Sequence, residues 1–214
     1  MNKRKLSIEI FCLSVLTVGI CMKTVAQTDI ETSLFNSKDS SLTVANLSVA
    51  ELTDFKDKAL RKTKALSNYI STVADKSKDE TQRNKAIDLA VKLFMGESNT
   101  VEVSSLNSKE PKRYKIRAYL NKLKMLPYIK AKIEWYDMFF ASNFTKRPDG
   151  RYEAVATIYQ RFTGITDEDE KYMDITKKNI QIIIEQKEIK TGDIVEQVWE
   201  VFLGDIKVEE TKKV

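Results

Sequence analysis

The prevailing hydrophobic period of this chain changes near residue 130 from a repeat of about 3.6 residues to a repeat of two. A 3.6-residue rhythm lays apolar side chains along one stripe of a helix, whereas strict alternation lays them on one face of a strand. Helices are therefore expected first and a sheet second, a segregated α+β arrangement in which the helices cover a sheet face.

In the first stretch, Leu52, Phe55, Leu60, Thr63, Leu66, Ile70 and Val73 fall at helical spacing, with Lys56, Lys58, Arg61 and Lys64 on other faces. This predicts a helix from Val49 or Glu51 to about Asp75. Asp79, with Gln82 three residues on, is placed to cap a second helix that carries Ala86, Leu89, Ala90, Leu93 and Phe94 and stops at Gly96. Val101 and Val103 alternate with Glu102 and Ser104, which predicts a short strand over Thr100 to Leu106. A third helix, Tyr114 to Lys124, is bracketed by Pro111 and Pro127 and has Ile116, Tyr119, Leu120 and Leu123 on its apolar edge.

Residues 131–143, 152–163, 171–186 and 194–208 then read as four long strands. Arg147-Pro148-Asp149-Gly150, Thr166 to Glu170 and Thr191-Gly192-Asp193 suit hairpin turns and are too short for parallel crossovers, so the strands should form an antiparallel meander. Strands of this length twist and usually bend. The expected fold is three N-terminal helices packed in a strongly curved antiparallel sheet of four long strands plus a short edge strand, spanning residues 50–208, with a tail over 209–214.

What precedes the domain sets its compartment and chemistry. Lys3, Arg4 and Lys5, a mostly apolar run from Ile8 to Ile20, and Thr24-Val25-Ala26 read as an export signal over 1–26, cleaved between Ala26 and Gln27. A Ser- and Thr-rich leader follows over 27–49. The expected location is periplasmic or secreted, with lipid anchoring through Cys21 as the alternative, and no transmembrane segment after the signal is removed. The signal contains four basic residues and one acidic, a net of +3 out of the whole-chain +5, so the mature chain is near +2. Cys12 and Cys21, the chain's two cysteines, also lie in it, and histidine is absent throughout. The mature protein thus has no thiol nucleophile, no thiolate metal site and no histidine-containing triad. No Gly-rich phosphate loop, dinucleotide fingerprint or calcium loop occurs, so neither a cofactor nor a metal is expected. No nucleic-acid partner is expected either, although residues 109–132 hold nine basic residues against Glu110 alone.

Several segments carry a resemblance. Lys85-Ala86-Ile87-Asp88-Leu89-Ala90, Glu134-Trp135-Tyr136-Asp137, Gln160-Arg161-Phe162-Thr163-Gly164 and Trp199-Glu200-Val201-Phe202-Leu203-Gly204-Asp205-Ile206 resemble exported, uncharacterised Bacteroides-type members of the nuclear transport factor 2-like superfamily, whose fold is cystatin-like. The resemblance implies a cone-shaped sheet around the helices, a ligand pocket in its open end and a homodimer formed through the sheet. It does not imply one activity, because the superfamily includes isomerases, dehydratases, transport adaptors and assembly domains. Its dehydratase-type members use histidine, which this chain lacks.

Among individual residues, Asp137 shares strand parity with Ile133, Trp135 and Phe139, where an apolar group is expected. A carboxylate among aromatics has a raised pKa and can move protons; the plainer reading is a hydrogen-bond acceptor at a bulge or on an exposed face. Asp205 follows Trp199, Val201 and Leu203 in the same way, and Gly204 beside it suggests a bulge. Tyr136, Tyr159 and Tyr172 could donate hydroxyls to a ligand, Trp135 and Trp199 could wall a pocket, and Arg161 could hold an anion or pair with Asp137 or Glu200. Two classes of function follow. One is an exported, non-catalytic binding or assembly domain recognising a small ligand or an envelope protein. The other is an isomerase-like or hydrolytic enzyme with Asp137 or Asp205 as base and a tyrosine such as Tyr136 as donor.

Overall fold

The structure, a computed structural model, describes residues 46–107, 110–168, 171–192 and 194–213. The expected export signal, its cleavage site at Ala26 and Gln27, both cysteines and most of the leader lie outside the described residues.

Helix α1 (Val49–Ala74) begins at a reciprocal cap. The Ser48 hydroxyl accepts from Glu51 N, and the Glu51 carboxylate accepts from Ser48 N at 2.8 Å, so two backbone donors that a helix start leaves unpaired are satisfied. The bonds that the Glu51 carboxylate accepts from Ser48 N and from the Ser48 hydroxyl hold it below its ordinary pKa. Its buried stripe is Phe55, Ala59, Thr63, Leu66, Ile70 and Val73. Helix α2 (Glu80–Val91) starts where Asp79 accepts from Gln82 N at 2.8 Å. It buries Ala86, Ile87, Ala90 and Val91, whereas Leu89, expected in the apolar set, is only partly buried. Helix α3 (Ile116–Lys124) buries Ile116, Tyr119, Leu120 and Leu123.

The strands are β1 (Thr100–Val103), β2 (Lys112–Lys115), β3 (Lys130–Phe140), β4 (Thr145–Lys146), β5 (Tyr152–Ile165), β6 (Lys171–Thr191) and β7 (Ile194–Lys213). The four long ones pair β3–β5, β5–β6 and β6–β7, all antiparallel, as their short connections require. The β6–β7 hairpin closes with Thr191 opposite Ile194 and Gly192 at φ +63°, a left-handed conformation that glycine adopts without steric cost.

The expected strongly curved cone is not what the chain forms. The sheet has seven strands in the order β2-β1-β7-β6-β5-β3, with β4 on β5, and it is mixed, open and not strongly curled. The short strand is not an edge. Val101 of β1 pairs with Ile206 of β7 in parallel, and β2 covers the other side of β1 in antiparallel register, Thr100 to Lys115 through Val103 to Lys112. The Asp205 carboxylate fixes this junction by accepting from Thr100 N at 2.8 Å. Two four-residue strands thus extend the sheet beyond β7, while β3 ends it far away, so the ends do not meet. The nuclear transport factor 2-like, cystatin-like cone is accordingly set aside for this chain.

Two bulges aim the inner face. Between β3 and β5 the register passes from Tyr136↔Tyr159 to Phe139↔Thr157, so Asp137 and Met138 oppose Ile158 alone. Asp137 takes the left-handed conformation, φ +48°, a position aspartate tolerates better than most side chains. The extra residue inverts the alternation after it: Met138 and Phe140 pack on the core and Phe139 is 47% exposed, the reverse of the expected parity. Between β6 and β7, Gly204 and Asp205 oppose Gln181. A Cβ on Gly204 would lie 3.0 Å from Gln181 Cβ, so any larger residue there would crowd the Gln181 side chain and force it to shift.

The core lies between the helices and one sheet face. Leu66, Ile70, Ile116 and Leu120 from the helices meet Ile158, Ile180, Ile182, Ile184 and Leu203 from the sheet, each 0% exposed. Among the described residues no helix is long and apolar enough to cross a membrane.

Candidate functional site

The inner row of β6 changes character partway along. Ile184, Ile182 and Ile180 are packed into the core, and the next inward positions are Lys178, Thr176, Asp174 and Tyr172. Lys178 is 2% exposed and Asp174 4%. Beside them lies a half-enclosed cavity of about 280 Å³. Its walls are α3 with Tyr119 and Leu123, the following turn with Leu126 and Tyr128, Val103 at the end of β1 with Ser104, Ser105 and Asn107 after it, and Ile133, Gln160 and Phe162 from the sheet. The lining is mostly apolar with a few convergent polar groups, the usual character of a small-molecule site.

Lys178 Nζ donates to Glu102 O at 3.3 Å and sits 5.9 Å from the centre of the Tyr119 ring. Among the described residues it joins no ion pair, so an ammonium with three donors has one of them committed to protein. Removal from water pushes its pKa down to about 8, against the opposing pull of the Asp174 and Glu102 charges. Glu102 itself is anchored elsewhere. Burial pushes its carboxyl up, but bonds from Arg113 at 2.7 Å and Val208 N at 3.0 Å outweigh that and leave it below the ordinary value.

Asp174 accepts from the Tyr172 hydroxyl at 2.8 Å, and that hydroxyl accepts from Leu106 N at 3.1 Å. Burial raises the Asp174 pKa even though Tyr172, Lys178 and Thr176 all favour its charged form. Burial also raises the Tyr172 and Tyr119 hydroxyls. Thr176 extends the polar row to Thr211, which also meets Ser104. The result is a lysine with a depressed pKa and a carboxyl with a raised one on the same wall, so the two groups are drawn toward each other in proton affinity. Tyr128, Phe162 and Tyr172 form an aromatic cluster with ring centres 5.3 to 6.5 Å apart. Tyr128 lies so close over Gly164 that a Cβ there would come within 2.6 Å of the ring.

Of the residues singled out from sequence, Tyr172 lines the cavity, and Trp135 supports it by donating from Nε1 to Gln160 Oε1 at 3.1 Å. The others lie elsewhere. Asp137 is exposed at its bulge. Asp205 accepts from Thr100 N and Asn99 Nδ2 and joins β1 to β7. Tyr136 stacks on Tyr159 at 5.9 Å, with the Arg161 guanidinium 5.3 Å from the Tyr136 ring. This trio occupies the opposite face of the sheet, since Gln160 and Phe162 point into the cavity. Arg161 pairs with neither expected partner, Glu200 being taken by Lys62 at 3.2 Å. Trp199 packs edge-on against Tyr152 at 5.7 Å, away from the cavity. Of the nine residues of the basic run, four pair with carboxylates among the described residues: Arg113 with Glu102, Arg117 with Asp88 and Glu97, Lys124 with Glu80, Lys132 with Glu134. Among the described residues no cluster of acidic, histidine or cysteine side chains could hold a metal ion.

Asp174 and Lys178 escape a search for motifs but leave a trace in the alternation. The parity that turns Ile180, Ile182 and Ile184 inward also turns Asp174, Thr176 and Lys178 inward, and three polar residues continuing a core row are the signal of a lined cavity.

No protein-family profile and no curated protein match the chain. Among solved structures it is similar to a "Putative Scytalone Dehydratase" from Novosphingobium aromaticivorans, with 12% sequence identity over 76% of this chain and 91% of that one and a TM-score of 0.38. A superposition that loose says nothing about what this chain binds or does.

Proposed function

We propose that this protein is an exported, non-catalytic binding domain that takes a small, mainly apolar molecule with one polar end into the cavity between α3 and β6. The observation that supports this most is Lys178, a buried ammonium with one hydrogen bond to protein at the base of an otherwise largely apolar cavity. Burying a charge without full pairing is costly, and a ligand acceptor at that position would offset the cost. The apolar walls supply affinity, and Lys178, Gln160 and the Asp174–Tyr172 pair orient the polar end.

The test is a nuclear magnetic resonance titration of the folded protein with small aromatic alcohols, ketones and carboxylic acids, alongside Leu126→Trp, which fills the cavity from its wall. Binding should perturb the amides of Gln160, Tyr172 and Lys178 and be lost in the variant. Perturbations centred elsewhere, or binding undiminished in Leu126→Trp, would overturn the proposal.

A further inference from the structure

We infer that Lys178 captures an aldehyde or ketone covalently and reversibly as an imine, so that the molecules this cavity retains are small aromatic or aliphatic carbonyl compounds. The inference rests on the binding role proposed above and specifies its ligand class.

Three features of the geometry support it. First, Lys178 is buried and lines the cavity, its nitrogen makes a single hydrogen bond to protein, and no carboxylate pairs with it among the described residues. Second, the apolar wall of Leu123, Leu126, Phe162 and Ile133 suits the hydrocarbon part of such a molecule. Third, the same wall carries a carboxyl and a phenol hydrogen-bonded to each other, Asp174 and Tyr172, which can pass a proton at a site where imine chemistry needs one both taken and given.

The step balances without an oxidant or reductant. The lone pair of the neutral Lys178 amine forms a bond to the carbonyl carbon, and the carbonyl π pair moves to oxygen, which takes up a proton as the nitrogen gives one up. The resulting carbinolamine then loses its remaining nitrogen proton and its hydroxyl group, the latter leaving as water once that second proton has been passed to it. One carbonyl compound and one amine thus give one imine and one water. Only the unprotonated amine attacks. With a pKa near 8, about half of Lys178 is unprotonated at pH 8, against roughly 0.4% for a solvated lysine, an advantage on the order of 100-fold.

The experiment uses the full chain at pH 8 with cinnamaldehyde below stoichiometry and sodium cyanoborohydride, which reduces an imine to a stable secondary amine. Peptide mapping by mass spectrometry then gives the fraction of label at each lysine. Cinnamyl alcohol, of similar shape but unable to form an imine, is titrated in parallel. The expected result is labelling of Lys178 at least about 10-fold above the mean of the other lysines, competed by the alcohol and absent from Lys178→Met, an apolar replacement of similar length. If the alcohol binds in the cavity while the aldehyde labels Lys178 no more than surface lysines, covalent capture is wrong and the binding role stands. If neither compound enters the cavity, both readings fall.

Discussion

The two halves of strand β6 face the same side of the same sheet and are equally shielded from solvent, yet they serve different ends. Ile180, Ile182 and Ile184 are 0% exposed and interdigitate with α1 and α3. Lys178, Thr176 and Asp174, one step further along the same alternation, are 2%, 1% and 4% exposed and border an open cavity. Burial therefore does not separate core from site in this protein; the chemistry of the buried row does. The isoleucine half gains stability from each methylene it hides, whereas the polar half holds charges that water would solvate better. A row that opposes folding in this way fits a place where something other than folding is selected.

The contrast breaks most plainly under truncation. Ile182→Ala leaves a void among atoms that cannot collapse into it, and should lower the unfolding free energy by about 2–5 kcal/mol in urea denaturation. A loss below 1 kcal/mol would mean that the isoleucine half is not the packed half. Lys178→Met should act in the opposite direction near neutral pH, because it removes the desolvation of an ammonium. The wild-type pKa, about 8 in the folded chain, lies below the ordinary value of 10.5, so between those pH values the unfolded chain holds the extra proton. Raising pH through that window therefore stabilises the wild type relative to the variant, by roughly 3 kcal/mol in total, and lowering pH through it removes that gain. Paired urea melts at pH 7, 8.5 and 10 measure it. A gap between the two proteins that stays constant, or widens with pH, would refute the buried-ammonium account.

How much of this was legible beforehand divides along the same line. Local signals carried well: the Asp79 start, the 3.6-residue stripes and the hairpin turn at Gly192 all depend on neighbours in sequence, and the antiparallel meander follows from short connections. The parallel β1–β7 contact did not carry, because it joins Val101 to Ile206 and four residues of alternation do not encode a partner or a direction. Strand β2 was hidden inside an expected helix start, Tyr114 and Lys115 pairing with β1 before Ile116 begins α3. The bulge at Asp137 misled in a specific way. One left-handed residue inverted the parity behind it, so Phe139 was expected inside and Asp137 gained an importance its exposed position does not support. Of the candidate site, Tyr172 was found by residue type; Asp174 and Lys178 needed the parity of β6 followed past the point where it stops being apolar.

Two glycines sharpen the difference between packing and site at equal chemical cost. In Gly164→Ala the new methyl group meets the Tyr128 ring at 2.6 Å, and the ring must leave the cavity wall. In Gly204→Ala it meets the Gln181 side chain at the β6–β7 bulge instead. Both should cost about 1–3 kcal/mol by crowding. Only Gly164→Ala should also weaken binding of a cavity ligand, by roughly 10-fold, about 1.4 kcal/mol. Equal binding losses in the two variants would show that the ligand senses general loosening and not the aromatic wall.

The smallest expected effect concerns Asp137. With φ at +48° and its carboxylate in solvent, this residue bears a backbone strain that glycine would not. Asp137→Gly should therefore leave the fold intact and change stability by about +0.5 kcal/mol, the relief of strain being partly cancelled by the freedom glycine adds to the unfolded chain. Ligand binding should be unchanged, because the cavity lies on the other side of β5 from the Tyr136–Tyr159–Arg161 cluster and includes no atom of Asp137. A variant that bound its ligand normally would leave Asp137 the single task of turning β3, so that Met138 and Phe140 reach the core. Loss of binding without loss of stability would instead move the functional site from the inner row of β6 to the bulge of β3.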